Sequence, residues 1–183
     1  MVKRSVTSIN QNWTFKQADR KDAKFLPVAQ FPTNVHLDLL ANDMISDPFI
    51  GKNEVDCQWV GEATWIYRTT FATDQSLYKE PSLDTRAVLA FDGLDTFATV
   101  VLNGKEILKT ENMFIPERVD VKSLLKKDEE NVLEITFESA FLRGKKIVEE
   151  HPEHKWGCWN SDLGRLAVRK AQYHWVSPAN RSV

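Results

Sequence analysis

From residue 64 onward the hydrophobic positions of the chain recur with a period of two. Trp65, Tyr67, Thr69 and Phe71 alternate with Ile66, Arg68 and Thr70, the pattern of a strand with one face in a core. The cleanest alternation covers residues 132–138, with Leu133, Ile135 and Phe137 predicted inward and Glu134, Thr136 and Glu138 outward. Residues 88–94 form a nearly continuous apolar run, and residues 97–102 lead directly into Asn103-Gly104 before an apolar pattern resumes over 105–108. Asn-Gly between two β-type runs predicts a tight hairpin, because both central positions of a type I′ turn need positive φ.

The flanks read differently. Trp13-Thr14-Phe15 predicts a first strand, followed by a charged loop and a short strand near residues 25–31, with Pro32 as punctuation. Residues 35–42 have helical spacing: Val35 and Leu39, with Leu40 beside them, share a face, and His36 and Asp38 lie off it. Residues 43–61, with Asp47-Pro48, Gly51 and Gly61, predict a long loop of the kind that is functional or packed by its own side chains. Residues 141–151 return to helical spacing, weakened by Gly144 and ended by Pro152, and residues 165–175 predict a final strand. Gly93 and Gly104 read as turn glycines. With no internal repeat, many short strands and one or two short helices predict a mainly β fold, a sandwich with Greek-key or jelly-roll wiring.

Composition narrows the classes. A chain of 183 residues with 42% hydrophobic and 27% charged residues is in the range of one soluble globular domain whose core needs no staples. Lys and Arg number 24 against 26 Asp and Glu, a net charge of −2 with no basic stripe, which argues against nucleic acid as a partner. Two cysteines, Cys57 and Cys158, are too few for a disulfide framework. The basic residues at the amino end are not followed by an apolar segment, and no stretch is long enough to span a bilayer. The expectation is therefore a cytoplasmic protein with reduced thiols and no membrane partner, its sequons at Asn12 and Asn180 unmodified.

The chemistry-bearing residues give competing readings. Glu149–Glu150 and Glu129–Glu130 are adjacent pairs that would not face each other on a helix, so they read as solvated surface. His151, His154 and Cys158, with Cys57 or His174 as a distant fourth, have spacings that could ligate a metal, though not those of a paired-cysteine zinc site. Polar loop residues satisfied near Trp156 and Trp159 are the simpler reading. Trp59, Trp65, Trp156, Trp159 and Trp175 could stack on pyranose rings. Trp65 sits in a β-alternating run and is assigned to the core. Trp156 and Trp159 lie in a loop and are freer to be exposed, as packing for another domain more than as ligand contacts.

Several strings go further. Pro48-Phe49-Ile50-Gly51-Lys52-Asn53-Glu54 with Gln58-Trp59-Val60-Gly61, and Trp65-Ile66-Tyr67-Arg68-Thr69-Thr70-Phe71, resemble the β-mannosidase branch of glycoside hydrolase family two. So do Val35-His36-Leu37-Asp38-Leu39-Leu40, the run from Phe91-Asp92-Gly93-Leu94 to Leu102-Asn103-Gly104, Asn112-Met113-Phe114, and Arg169-Lys170-Ala171-Gln172-Tyr173-His174-Trp175. The resemblance covers residues 10–175, in order. It implies a jelly-roll, galactose-binding-like first domain over residues 1–175, followed in the family by immunoglobulin-like sandwiches and a TIM barrel. That barrel carries the two glutamates of a retaining glycosidase acting on terminal β-mannose. A TIM barrel needs about 250 residues, so the expectation is a truncated domain with no catalytic residues of its own. Its partners would be the missing catalytic domains and, at most weakly, β-mannoside glycans, and no metal or other cofactor is implied.

Arg169, Gln172, Trp175 and Trp159 are the sugar-binding candidates. The family continues past this run with Gly-Trp-Asp-Trp-Gly-Pro. Here Val176-Ser177-Pro178 follows, so Ser177 and Pro178 stand where the subsite Trp and Asp would be. Residues 176–183 are expected to be an unrelated, solvated tail; Val-Ser is also how the start of an intron, GTAAGT, reads in frame. A stand-alone lectin-like module and one chain of a split glycosidase are the alternatives.

Overall fold

The segments with the strictest alternation become the middle of a sheet, because a one-residue slip would turn every apolar side chain to water. The computed structural model describes residues 4–79, 85–156, 166 and 168. In chain order the elements are β1 (Thr14–Gln17), β2 (Leu26–Pro27), α1 (Val35–Ala41), α2 (Asn53–Asp56), β3 (Trp65–Phe71) and α3 (Ser76–Lys79). There follow β4 (Val88–Phe91), β5 (Ala98–Leu102), β6 (Lys105–Thr110), β7 (Glu117–Asp120), β8 (Asn131–Phe137) and α4 (Ala140–Glu150). Short 3-10 turns lie at Gln58–Glu62 and Lys122–Leu124.

Among the described residues the strands form a six-stranded sheet, ordered β2-β1-β3-β8-β5-β6, and a two-stranded sheet, β4-β7. All pairings are antiparallel. β3 and β8 pair over their full lengths, Trp65 opposite Phe137 and Phe71 opposite Asn131. The inner face of the large sheet presents Phe15, Trp65, Tyr67, Val100, Leu102, Leu133 and Ile135 to one core. Leu89 of β4 and Val121, just after β7, enter the same core from the small sheet, so the two layers form the expected β-sandwich.

The hairpin is as predicted: Asn103 and Gly104 have φ of 51° and 82° between β5 and β6. Asn103 also does a second job. Its Oδ1 accepts from the Val132 N–H at 2.9 Å, and its Nδ2 donates to Asn131 Oδ1 at 2.9 Å and to the Leu124 carbonyl at 2.8 Å. Asn131 is itself buried and donates to Thr73 Oγ1 at 2.9 Å. One turn residue thereby ties the hairpin to the start of β8.

Elsewhere the structure corrects the sequence reading. The strand near 25–31 shrinks to Leu26–Pro27, and Phe31 instead stacks on Trp13, ring centroids 5.4 Å apart. The loop at 43–61 contains α2 and a 3-10 turn, pinned by Asn53 Nδ2 donating to the Asp47 carbonyl at 2.9 Å and by the Phe49 N–H donating to Asp47 Oδ1 at 2.9 Å. The apolar run 88–94 leaves the sheet after Phe91. Gly93 does not have a left-handed φ; a Cβ there would stand 2.7 Å from the Met113 carbonyl oxygen, so room and not turn geometry demands glycine. β7, Glu-Arg-Val-Asp, was invisible to pattern because it carries one apolar residue, and its pairing with β4 makes it a strand.

α4 lies where the spacing put it. Ser139 caps it, its hydroxyl accepting from the Leu142 N–H at 3.0 Å and donating to the Gly61 carbonyl at 2.6 Å. Gly144, the apparent weak point, is buried, and a Cβ there would reach van der Waals contact with Leu166 at 3.5 Å. Of the predicted final strand, only Leu166 and Val168 fall among the described residues. No described helix is long and apolar enough to cross a membrane.

Candidate functional site

Arg169, Gln172, Trp175 and Trp159, the residues the sequence reading offered for sugar contact, lie outside the described residues, as does the tail 176–183. What the described residues bring together is a different aromatic pair. Trp65 begins β3 and is 6% exposed, its indole N–H donating to the Val60 carbonyl at 3.1 Å. That hydrogen bond satisfies the one polar atom of a ring otherwise committed to the core. The 3-10 turn places Trp59 against it, ring centroids 6.0 Å apart, and leaves Trp59 39% exposed. Phe15 of β1 packs on the other side of Trp65 at 6.1 Å.

These rings, with Leu26, Leu39 and Met44, line a cavity of about 210 Å³. Its rim comes from the end of β1 and the following loop: Lys16, Gln17, Arg20, Asp22, Ala23 and Lys24. The loop is fixed where it leaves the strand, the Ala18 N–H donating to the Thr64 carbonyl at 2.8 Å. Arg20 and Asp22 face each other at 3.8 Å. The cavity thus sets indole rings beside side chains that donate (Lys16, Arg20, Lys24) and one that only accepts (Asp22). Nothing in the sequence singled out Trp59 from the other tryptophans, because its exposure depends on a 3-10 turn that no periodicity announces.

Beneath this cavity α1 is held by a buried carboxylate. Asp38 is 0% exposed, against the expectation that it lay off the buried face. Tyr67 donates its phenol to Asp38 Oδ2 at 2.7 Å, and Thr33 its hydroxyl to Oδ1 at 2.9 Å. Burial pushes the Asp38 carboxyl above its ordinary value, and the hydrogen bonds from Tyr67 and Thr33 work against that push. The Tyr67 phenol is held well above the usual range, first by burial and then by its bond to Asp38 and that group's charge. With both oxygens engaged and no path to water, Asp38 serves as a bolt between α1 and β3. It is not placed for proton transfer to a substrate.

Trp156 was expected to be free for exposure. It is half-buried, its Nε1 donating to the His151 carbonyl at 3.1 Å, with its ring edge-on to His154 at 5.2 Å.

Residues 13–177 match the family model described as glycosyl hydrolase 2 galactose-binding domain-like. "Beta-mannosidase B" of Thermothelomyces thermophilus is 64% identical over 177 residues, which cover 96% of this chain and 20% of that protein. "Beta-mannosidase B" of Aspergillus terreus is 46% identical over 171 residues, covering 92% of this chain and 20% of that protein. Among solved structures, the β-D-mannosidase of Dictyoglomus thermophilum superposes with a TM-score of 0.72 at 37% identity, over 91% of this chain and 19% of that one. The chain thus spans about a fifth of the length of these relatives.

Proposed function

The chain belongs to the glycosyl hydrolase 2 galactose-binding domain-like family, and from that premise we propose that it works as the amino-terminal, non-catalytic domain of a retaining exo-β-D-mannosidase. In this reading the hydrolysis of terminal non-reducing β-mannose is done by two glutamates on a barrel outside these 183 residues, by the double displacement that retaining enzymes use. The observation that carries it is the 64% identity to a β-mannosidase across 96% of the chain. The domain contributes a rigid β-sandwich and a surface for the rest of the enzyme. Phe49, Ile50 and Val55, each more than 60% exposed on the segment around α2, suit such a surface. We place the protein in the cytoplasm, a reading with which the free, buried thiol of Cys57 agrees.

A chimera tests this. Residues 1–175 replace the matching first fifth of the Thermothelomyces thermophilus protein, whose own sequence continues from that point. The chimera is expected to hydrolyse an aryl β-mannoside with kcat/KM within about tenfold of the parent, a barrier change of about 1.4 kcal/mol, while the 183-residue chain alone releases no product above background. A folded but inactive chimera refutes the reading, as does turnover by the chain alone that follows it through two orthogonal purification steps. The cleft beside Trp59 favours a second reading, a lectin-like module. Its mark would be binding of mannose or mannobiose by the isolated chain, lost in Trp59→Ala.

A further inference from the structure

The sequence His151-Pro152-Glu153-His154 follows α4 directly, and local chemistry dictates its shape. Proline at the second position presets φ for a turn, and the His154 N–H closes it on the His151 carbonyl at 3.2 Å. A turn of this kind brings its first and fourth side chains to the same side, and the two imidazoles stack with centroids 5.8 Å apart. The Glu153 carboxylate stands between them. One and the same oxygen, Oε1, lies 3.3 Å from His151 Nδ1 and 3.9 Å from His154 Nε2. The three ligand atoms are all within 4.8 Å of one another. Trp156 braces the arrangement from outside the triangle, holding the His151 carbonyl through its indole N–H.

We propose that His151, Glu153 and His154 form a surface site for a borderline divalent metal ion, Zn²⁺ being the representative. Tetrahedral zinc with nitrogen and oxygen ligands at about 2.0–2.2 Å sets its ligand atoms about 3.3–3.5 Å apart. The His151–Glu153 pair is already at that separation, and the other distances close by rotation of exposed side chains, without moving the backbone. Water completes the coordination. The surrounding charge agrees: α4 ends here, so its carbonyl dipole and the Glu149 carboxylate in its last turn favour a cation, while Glu150 is paired with Lys146 at 3.5 Å. Two imidazoles select zinc, copper or nickel over calcium and magnesium, which prefer oxygen alone. When bound, the ion ties the end of α4 to the chain that leads on to Trp156. The site lies apart from the Trp59 cavity and does not depend on the mannosidase reading.

The test uses the full 183-residue chain stripped of metal with a chelator and titrated with ZnCl₂, followed by calorimetry and by NMR of the imidazole nitrogens. The expected result is saturable binding that shifts His151 and His154 and leaves His36 unshifted, with no response to CaCl₂. His151→Ala and His154→Ala are each expected to weaken binding by at least about tenfold, since even outer-shell changes cost roughly 10–100-fold. Because all three side chains are exposed, the variants should fold, and unchanged circular dichroism confirms it. Zinc binding of unchanged affinity in the folded double variant overturns the proposal, as does the absence of imidazole shifts in the parent chain.

Discussion

The ladder β3–β8–β5 and the segment 43–62 are both rich in apolar residues, yet they cover them to different extents. In the ladder every second residue is covered: Trp65, Tyr67, Val100, Leu102, Leu133 and Ile135 all meet the core. In the segment, Asp47 and Asn53 fix the backbone, and Phe49, Ile50 and Val55 are left facing out. Apolarity in the first region builds the domain; in the second Val60 joins the core and Ile45 packs against it, while Phe49, Ile50 and Val55 form an outward patch. The difference teaches that pairing with a strand on each side buries apolar residues at a regular interval, whereas in the segment burial is local, reaching Cys57 and Val60 but not Phe49, Ile50 or Val55. Where polar side chains hold the backbone, apolar neighbours are free to form a surface.

Substitution can break that contrast. Leu102→Ala removes a side chain that is 0% exposed and is expected to cost about 2–5 kcal/mol. Ile50→Ala should stay within about 0.5 kcal/mol, as exposed changes do. Urea unfolding measures both, and an Ile50→Ala cost approaching that of Leu102→Ala would show that the outward patch at Ile50 is buried in solution.

A smaller effect sharpens the seam between the two regions, since α1, bolted to β3 through Asp38, leads directly into the segment. Tyr67→Phe removes a hydrogen bond to a buried carboxylate, worth about 1.5–3 kcal/mol when that group is ionised. The Asp38 pKa is raised in the fold, so between its ordinary value of 3.8 and its folded value the native state holds more protons than the unfolded one. The contribution of Asp38 is thus most favourable below 3.8 and declines as pH rises through the folded value. Tyr67 opposes that decline by favouring the charged form. Unfolding measured from pH 3 to 7 should therefore show Tyr67→Phe costing more at neutral pH than in acid, and Asp38→Asn flattening the decline. A cost of Tyr67→Phe independent of pH would mean that only packing was lost.

The smallest effect lies on the outer face of the ladder. Arg68 and Glu134 are directly opposed in register and meet at 2.7 Å, with their side chains 43% and 30% exposed. A double-mutant cycle with Arg68→Met and Glu134→Gln should give a coupling of no more than about 1 kcal/mol, falling with salt. A larger coupling would make the outer face a structural contributor comparable to the inner one.

Legibility in the sequence followed the same division. The strands β3, β5 and β8 and the Asn103-Gly104 hairpin could be read directly, because period-two burial and a turn needing positive φ leave marks on residue type. β7 could not: pairing with β4 defines it, and Val119 alone carries no period. The helical turns of 43–62 were hidden because side-chain-to-backbone bonds from Asp47 and Asn53, not an apolar stripe, hold them. Asp38 was misplaced because a carboxylate counts as polar in any pattern, whereas burial depends on partners at Thr33 and Tyr67, the second of them on another element. Gly93 was ascribed to backbone conformation when the constraint came from a carbonyl twenty residues on, at Met113. The sugar-contact candidates of the sequence reading fall outside the described residues, and the Trp59–Trp65 pair depended on a turn without a sequence signature.

The strand order has a consequence in time. β1 finds its main neighbour in β3, and β3 finds its other neighbour in β8, while β5 reaches β8 across the whole intervening stretch. During synthesis, then, Phe15 leaves the ribosome long before Ile135 exists to share its core. At roughly 5–20 residues per second, the amino-terminal half waits on the order of ten seconds as an incomplete sheet with an unpaired edge. The nascent chain is most vulnerable to misassociation in that interval, and a pause in translation between β3 and β8 would lengthen it.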